Sequence, residues 1–252
     1  MNILEKILDN KRKEVSAVKE NLEYKNNHVP LNFKKSISGP GIAIIAEIKF
    51  KSPSEGVIYK DINPVKIAKE YENAGANALS ILTDCKFFGG DISFIEEIKE
   101  EVSIPIIQKD FIISESQIIE GANAGADCFL IISEALEKNE IISLIEIIEK
   151  LSLSFLLEVH SINSLKKFRK IYPDIVGVNS RDLKSMKTNL KNFKDIYPFL
   201  PKSSIKVAES GIKTSEDINY VEDIGYDAIL IGTSLMKSGN PGKSLEKLIG
   251  SS

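Results

Sequence analysis

The fold is decided by three copies of one local pattern: ENAGANALSILT at residues 72–83, ANAGADCFLIIS at residues 122–133 and EDIGYDAILIGT at residues 222–233. In each copy a polar stretch of helical character leads to a glycine, and a run of apolar residues follows. Glycine ends helices because it adopts the left-handed conformation without strain, and a short apolar run is typical of a buried strand. Each copy therefore predicts the joint between a helix and a strand of a parallel α/β protein.

The spacing of the three glycines predicts the number of strands. Gly75, Gly125 and Gly225 are separated by 50 and then by 100 residues. At about 25 residues per strand–helix unit, these intervals correspond to two and then four units. The copies therefore lead into strands 2, 4 and 8. The other strands are expected at GIAIIAEIK from Gly41, PIIQKD from Pro105, SFLLEVH from Ser154, DIVGVNS from Asp174 and SIKVAES from Ser204.

Amphipathic stretches between these strands, such as residues 64–75 and 215–225, predict helices because their apolar residues recur at three- and four-residue spacing. Eight alternating units predict an α/β fold of the (β/α)8 TIM barrel class, and 252 residues suit one such barrel. An open doubly wound sheet is the alternative, but it usually carries a glycine-rich phosphate loop after strand 1. Here FKSPSEG follows strand 1. We expect one domain over residues 1–252, with the barrel at 41–252.

Residues 1–40 are expected to form an N-terminal helical extension. One helical apolar stripe is formed by Ile3, Leu4, Ile7 and Leu8, and a second short one by Leu31, Phe33 and Ile37. A stripe reports burial but not the surface that it meets. The extension is therefore interpreted either as a plug that buries its stripe on the barrel or as a cover that also shapes the mouth of the site.

Composition excludes several classes of protein. Lys and Arg total 33 against 36 Asp and Glu, so the chain lacks the positive field that nucleic-acid binding requires. No apolar run approaches the roughly 20 residues that span a bilayer, so we expect no membrane partner. The charged N-terminus and the unclustered Cys85 and Cys128 predict a cytoplasmic protein. No motif assigns a protein partner.

Polar side chains stand at the predicted carboxyl ends of five strands. Side chains two residues apart on a strand point the same way. This parity directs six polar groups to one mouth: Glu47, Lys49, Lys109, Glu158, Asn179 and Glu209. Catalytic residues of such barrels lie at these strand ends. For any one of the six alone, the favoured interpretation is an ordinary charge that turns to solvent, whereas the set favours a network of paired lysines and carboxylates.

Two strand-end pairs, Ser210-Gly211 and Gly232-Thr233, predict a phosphate site, because barrels of this class bind phosphate between the loops after strands 7 and 8. The alternative is two turn glycines. The long loop after strand 1 is either a lid or a solvated connection. His160 is expected only to cap a strand end.

Several segments together resemble the indole-3-glycerol phosphate synthase family, and the resemblance covers nearly the whole chain. The segments are IAEIKFKSPSEG (45–56), LTDCKFFGG (82–90), KDFI (109–112), LLEVH (156–160), GVNSRDL (177–183), AESGI (208–212) and IGTSLM (231–236). The resemblance implies a lyase of tryptophan biosynthesis that converts the phosphorylated small molecule 1-(2-carboxyphenylamino)-1-deoxyribulose 5-phosphate into indole-3-glycerol phosphate, with neither metal nor organic cofactor.

The resemblance also implies roles for individual residues. The implied catalytic residues are Lys109, Glu158, Lys49, Glu47, Asn179 and Ser210, with Lys109 as general acid and Glu158 as general base. The implied substrate-binding residues are Ser52, Arg181 and Glu209, the phosphate cradle Gly211, Gly232 and Thr233, and the aromatic wall Phe88, Phe111 and Leu183. We expect Lys49 or partial burial to lower the pKa of Lys109 and make it a better acid.

Three other functions are weighed against this one. A phosphoribosylanthranilate isomerase-like barrel is expected to carry a cysteine at the end of strand 1, where this chain has Glu47 and Lys49. A Schiff-base aldolase would use Lys109 as a nucleophile. A non-catalytic phosphate-binding barrel would not need the paired lysines and glutamates.

Overall fold

The structure, a computed structural model, describes residues 2–17, 22–25, 27–168, 171, 173–182 and 186–250. Eight parallel strands close into a barrel, which confirms the predicted (β/α)8 class. The strands are β1 (Ala43–Ile48), β2 (Ala78–Leu82), β3 (Ile106–Lys109), β4 (Cys128–Ile132), β5 (Ser154–Val159), β6 (Ile175–Asn179), β7 (Ile205–Glu209) and β8 (Ala228–Ile231).

The barrel closes between its first and last strands. Around the barrel the order follows the chain, and β1 pairs with β8 on one side and with β2 on the other. Ala43 is in register with Ala228, and Ile45 with Ala78. Because all pairs are parallel, the carboxyl ends of the eight strands meet at one face.

Helices surround and precede the barrel. They are α1 (Ile3–Ala17), α2 (Phe33–Ser36), α3 (Pro64–Asn73), α4 (Cys85–Phe88), α5 (Ser93–Lys99), α6 (Glu115–Ala124), α7 (Lys138–Lys150), α8 (Ile162–Lys167), α9 (Lys191–Ile196), α10 (Ser215–Ile224), α11 (Thr233–Lys237) and α12 (Pro241–Ile249), with a 3-10 turn at Tyr197–Phe199. Within the described residues, no helix is both long and apolar enough to cross a membrane.

The three repeated glycines stand where the sequence predicts helix ends. Gly125 and Gly225 cap α6 and α10 with φ of 102° and 108°. Gly75, with φ of 94°, follows the cap of α3. Side chains other than glycine are strained at these angles, so the repeat encodes a backbone requirement.

Alternation along the strands produces two apolar layers. Residues such as Ile44, Leu79 and Phe129 face the helices, whereas Ile45, Ile107 and Leu130 fill the barrel interior. The inward parity continues beyond the interior layer to the polar residues at the strand ends. The polar groups at the strand ends therefore lie on top of closely packed apolar side chains.

The N-terminal segment covers both ends of the barrel. Ile3, Leu4 and Ile7 of α1 line the cavity at the carboxyl face. Phe33 of α2 is fully buried in the barrel-interior cluster, and at the opposite face the Leu31 amide donates to Asp127, the residue before β4. The two alternatives therefore both occur, with α1 as cover and α2 as plug.

Candidate active site

A cavity of about 720 Å³ opens at the carboxyl ends of the strands. Fourteen of the residues singled out in the sequence line it: Glu47, Lys49, Ser52, Phe88, Lys109, Phe111, Glu158, Asn179, Arg181, Glu209, Ser210, Gly211, Gly232 and Thr233. Leu183, the fifteenth, lies outside the described residues. Strand parity directs these side chains inward, and closure of the barrel brings them together although they are far apart in the sequence.

The centre of the cavity holds one ammonium group between two carboxyl groups. Lys109 Nζ lies 3.1 Å from Glu158 Oε2 and 3.8 Å from Glu209 Oε2. Both glutamate side chains are almost fully buried, with 1% exposure each, while Lys109 is 16% exposed toward the cavity. Among the described residues, both carboxyl oxygens of Glu209 are buried without a hydrogen-bond partner. The site therefore contains buried hydrogen-bonding atoms that no described protein group satisfies, which is typical of a functional centre.

The environment drives the pKa values of the two glutamates apart. Burial raises the pKa of Glu209, and the neighbouring Glu158 charge raises it further, so Glu209 takes up a proton more readily than Glu158 does. Burial also acts on Glu158, but Lys109 and His160 outweigh it and hold the pKa of Glu158 below its usual range. The triad therefore combines one ammonium group with two carboxyl groups of unlike acidity, an arrangement suited to acid–base chemistry.

The expectation that the pKa of Lys109 is lowered is wrong. Burial acts in that direction, but Glu158, Glu209 and Glu47 outweigh it and raise the pKa of Lys109 above its usual range. Lys49, the cation expected to repel a proton from Lys109, is itself paired with Glu47 at 2.5 Å. Lys109 is therefore firmly protonated, because carboxylates rather than cations surround it.

One side of the cavity is cationic and rich in backbone donors. It is formed by the loops after β6, β7 and β8, whose cationic lining residues are Arg181, Lys187, Lys213 and Lys237. Ser210 and Gly211 both have positive φ, 67° and 84°, and the Ser180 hydroxyl donates to the Ser210 carbonyl. Helix α11 begins at Thr233, so its first backbone N–H groups lack partners within the helix. This side suits an anion.

The opposite side of the cavity is apolar. Phe88 and Phe111 follow β2 and β3, and their ring centroids lie 6.0 Å apart with planes tilted by 34°. Leu82 and Ile132 and the apolar face of α1 complete this wall. Because β3 lies across the barrel from β7, the apolar and cationic walls face one another, with Lys109 and Glu158 between them.

The loop after β1 lines one edge of the cavity, and its tip is exposed to solvent. Lys51–Ser52 and Gly56–Val57 form a short antiparallel hairpin. Ser52 is buried at the cavity, and Glu55 at the hairpin tip accepts a hydrogen bond of 2.5 Å from Lys237 of α11. The loop is therefore tied to α11 on the cationic side of the mouth.

Sequence reasoning missed the ion cluster that holds α1 over the mouth. Lys11 is 4% exposed, and its ammonium lies 2.9 Å from Asp110 and 3.2 Å from Asp84. Asp110 also accepts a 2.6 Å hydrogen bond from Thr83. Lys11 follows Ile7 by one helical turn on the same face as the apolar stripe, and this position was the available signal.

Sequence reasoning also misjudged His160. Its ring does more than cap a strand end, because Nδ1 lies 3.0 Å from Glu134 Oε2 and Nε2 lies 3.3 Å from Glu158 Oε1. His160 follows Glu158 by two residues, so the parity that selected Glu158 also directs the histidine toward the cavity end. Glu134 follows β4 by two residues and carried no comparable signal.

Two glycines make room for carboxyl groups of the site. A Cβ on Gly177 would stand 2.0 Å from Glu209 Oε1, and one on Gly232 would stand 2.6 Å from Glu47 Oε1. Neither distance is compatible with a side chain, so both glycines are packing requirements of the site as well as turn or strand residues. Among the described residues, no group of three or more His, Cys, Asp or Glu is arranged to hold a metal ion.

Comparison with solved structures supports the fold. The chain superposes on 3-hexulose-6-phosphate synthase from Salmonella typhimurium with a TM-score of 0.65 and 12% identity, covering 83% of this chain and 99% of that one. A second barrel, KGPDC from Streptococcus mutans, gives a TM-score of 0.61 at 11% identity, with 83% and 96% coverage. At such low identity these likenesses concern the architecture alone.

Comparison of sequences identifies the family. The profile of the family described as "Indole-3-glycerol phosphate synthase" matches residues 4–248. A protein of that name from Priestia megaterium is 41% identical over 99% of this chain and 98% of its own length. Another of that name, from Chloroherpeton thalassium, is 40% identical over 94% of this chain and 96% of its own length. The chain therefore belongs to the indole-3-glycerol phosphate synthase family.

Proposed function

We propose that this chain closes, decarboxylates and dehydrates 1-(2-carboxyphenylamino)-1-deoxyribulose 5-phosphate to give indole-3-glycerol phosphate, a step of tryptophan biosynthesis. The observation that carries the proposal is the cavity with two unlike walls and the Lys109–Glu158–Glu209 triad between them. The substrate has an aromatic end, a phosphate end and a reacting carbonyl in the middle. The three parts of the cavity match these three parts in order.

Substrate orientation follows from the two walls. The carboxyphenyl ring would lie against Phe88 and Phe111, where burial of an aromatic ring is favourable. The phosphate would bind Arg181 and the backbone N–H groups near Gly211 and Thr233, where both charge and donors favour an anion. Fixing both ends would bring the ring carbon toward the carbonyl carbon, so much of the acceleration would come from positioning.

Ring closure is promoted by a cationic group that lies beside the carbonyl oxygen of the substrate. The ring carbon that bears the carboxylate attacks the carbonyl carbon, a C–C bond forms, and the carbonyl π electrons move to oxygen. Lys109 would stabilise and then protonate this oxygen. Its raised pKa does not prevent the transfer, because an alkoxide is a much stronger base than an amine and still takes the proton.

Decarboxylation and dehydration would follow without a change of site. The bond to the carboxylate breaks, carbon dioxide leaves, and the electrons neutralise the iminium at the anilino nitrogen. Glu158, held ionised, would then accept a proton from nitrogen or carbon while Lys109 or Lys49 protonates the departing hydroxyl. The substrate itself supplies the electron sink for these steps.

The Schiff-base alternative is disfavoured by the charge state of Lys109. A nucleophilic lysine must be neutral, and lysines of that kind have lowered pKa values. Here the surrounding carboxyl groups raise the pKa of Lys109. Borohydride added with the ribulose substrate would trap a Schiff base and would overturn the assignment of Lys109 as an acid.

The proposed activity is tested by mixing the purified protein with the substrate and following indole fluorescence. The chain contains no tryptophan, so the protein contributes little background. We expect a fluorescent product and release of one carbon dioxide per turnover. Absence of both at millimolar substrate would refute the function. The predicted cytoplasmic location is a separate proposal, which cell fractionation tests.

A further inference from the structure

We propose that His160, held by Glu134, is a positioning residue that fixes the Glu158 carboxyl group and keeps it ionised for the reaction. The inference rests on the proposed function, because Glu158 is the base of that reaction. Its evidence is nevertheless geometric and independent of the substrate. It concerns a chain of three groups, Glu134, His160 and Glu158, of which the mechanism above uses only Glu158.

The geometry divides the work between the two oxygens of Glu158. Oε2 lies 3.1 Å from the Lys109 ammonium, and Oε1 lies 3.3 Å from His160 Nε2. The second contact lacks the alignment of a hydrogen bond, so it acts chiefly through charge. Lys109 faces the cavity, whereas His160 approaches from the loop beyond β5. Glu158 is thereby held from both sides, and Lys109 can turn to the substrate without releasing it.

Glu134 is built to orient the histidine. Its Oε2 lies 3.0 Å from His160 Nδ1, and its Oε1 accepts a hydrogen bond of 3.3 Å from the His160 backbone N–H. The Ser133 hydroxyl donates to Glu134 Oε2 at 2.6 Å. A carboxylate that contacts both the ring and the backbone of one histidine fixes its position and makes it a donor at Nδ1, as in carboxylate–histidine pairs of many active sites.

The charged groups that face His160 favour its imidazolium form. Burial lowers the pKa of His160, but Glu134 and Glu158 outweigh both burial and the repulsion from Lys109, and the pKa is raised above its usual range. The pKa of Glu134 is lowered although burial raises it, because His160 and Ser133 stabilise its ionised form. The imidazolium in turn lowers the pKa of Glu158.

The sign of the effect on activity follows from this coupling. Loss of the imidazolium charge removes a group that favours ionised Glu158, so the pKa of Glu158 rises. The acidic limb of the rate profile, where the base becomes protonated, then moves to higher pH. A residue that merely fills space would lower activity equally at every pH.

The charge state of His160 is measured directly by NMR. The chain has only two histidines, so imidazole resonances of the full-length protein are assigned by one control variant, His28→Gln. We expect one imidazole to titrate above the ordinary value of about 6.5 and to move downward in Glu134→Gln. An ordinary titration, unchanged in Glu134→Gln, would overturn the proposal.

Kinetics then test the role in the reaction. We expect His160→Gln to lower kcat about 10- to 100-fold, with KM changed less than twofold and the acidic limb moved upward. Glu134→Gln should move the limb in the same direction by a smaller amount, while His28→Gln should leave the profile unchanged. Circular dichroism verifies that each variant is folded. A loss of kcat without movement of the limb in either variant would overturn the proposal.

The two measurements separate two failures. If the wild-type protein showed the coupled titration but formed no indole-3-glycerol phosphate, the proposed function would fall and the histidine network would stand. If it formed indole-3-glycerol phosphate while His160 titrated normally, the function would stand and the proposal for His160 would fall.

Discussion

Two lysine–carboxylate pairs at opposite ends of the barrel use the same chemical groups for different purposes. At the amino-terminal face, Lys99 Nζ contacts both oxygens of Asp127 at 2.7 Å. Asp127 also accepts hydrogen bonds from the Leu31 and Ile106 amides, at 2.7 and 2.8 Å. At the carboxyl face, Lys109 has one partner at 3.1 Å and another at 3.8 Å.

The two pairs differ in how many of their carboxyl oxygens accept hydrogen bonds. Asp127 has all of its acceptors occupied and ties together α5, β3 and the segment before α2. Near Lys109, the Glu209 oxygens lack hydrogen-bond partners among the described residues, and a cavity of about 720 Å³ adjoins them. A buried pair whose acceptors are all occupied serves stability, whereas a pair with unoccupied acceptors beside a cavity is available to bind a substrate. Four substitutions test this contrast.

Lys109→Ala should have the largest effect. The contact to the carbonyl oxygen strengthens as an alkoxide develops, so its loss should lower kcat by about 100- to 10,000-fold and leave KM nearly unchanged. Single-turnover measurements of indole-3-glycerol phosphate formation check this. If kcat stayed near normal while KM rose, Lys109 would be an anion contact and the role of acid would pass to Lys49.

Lys99→Ala should show the opposite pattern. Removal of one partner leaves the buried Asp127 charge with backbone donors alone, so the free energy of unfolding should fall by about 3–5 kcal/mol. Urea denaturation gives this value, and kcat per folded molecule should equal that of the wild type. A loss of kcat comparable with that of Lys109→Ala would erase the distinction between the two faces.

Gly177→Ala should disturb the triad without removing a charge. The added Cβ would stand 2.0 Å from Glu209 Oε1, and displacement by about 1 Å at a catalytic centre costs about 100-fold in kcat. Gly121→Ala is the matched control, because its Cβ would stand 1.9 Å from Gln108 Oε1, on the outer side of β3. The control should lose stability but not kcat, and equal kcat losses would contradict this account.

Glu209→Gln should have the smallest effect and the opposite sign for stability. Burial raises the pKa of Glu209 in the folded protein. Above the pKa of about 4.3 that a glutamate has in the unfolded chain, ionisation of the unfolded chain therefore favours unfolding. The amide cannot ionise, so at pH 7 the free energy of unfolding should rise by about 1 kcal/mol, while kcat falls. Below about pH 4 the two proteins should be equally stable. Urea titrations at pH 7 and pH 4 measure the difference, and a gain of equal size at both values would exclude ionisation as its cause.

Local rules made much of this protein predictable from its sequence. The glycines at 75, 125 and 225 require left-handed backbone, which is a property of single residues, and their spacing counts the strands. The period of two in each strand fixes the facing of Glu47, Lys109 and Glu158, because parity does not depend on distant contacts. The family resemblance rests on segments placed in chain order, so it too needed no tertiary information.

The electrostatics of the site could not be predicted in this way. Which carboxyl groups surround Lys109 depends on strands 50 to 100 residues away in the chain, and the sequence predicted a pKa shift of the wrong sign. Likewise, Glu134 meets His160 only because β4 and β5 are neighbours in the closed barrel.

The sequence by itself thus determined the strand count, the barrel class, the residues at the mouth and the family. Only the tertiary structure decided that α1 covers the mouth through Lys11, that burial raises the pKa of Glu209, and that His160 contacts Glu158. The physical reason is the distance along the chain over which each effect acts. Backbone conformation and side-chain parity are set within a few residues, whereas burial and charge pairing sum over groups that closure of the barrel brings together.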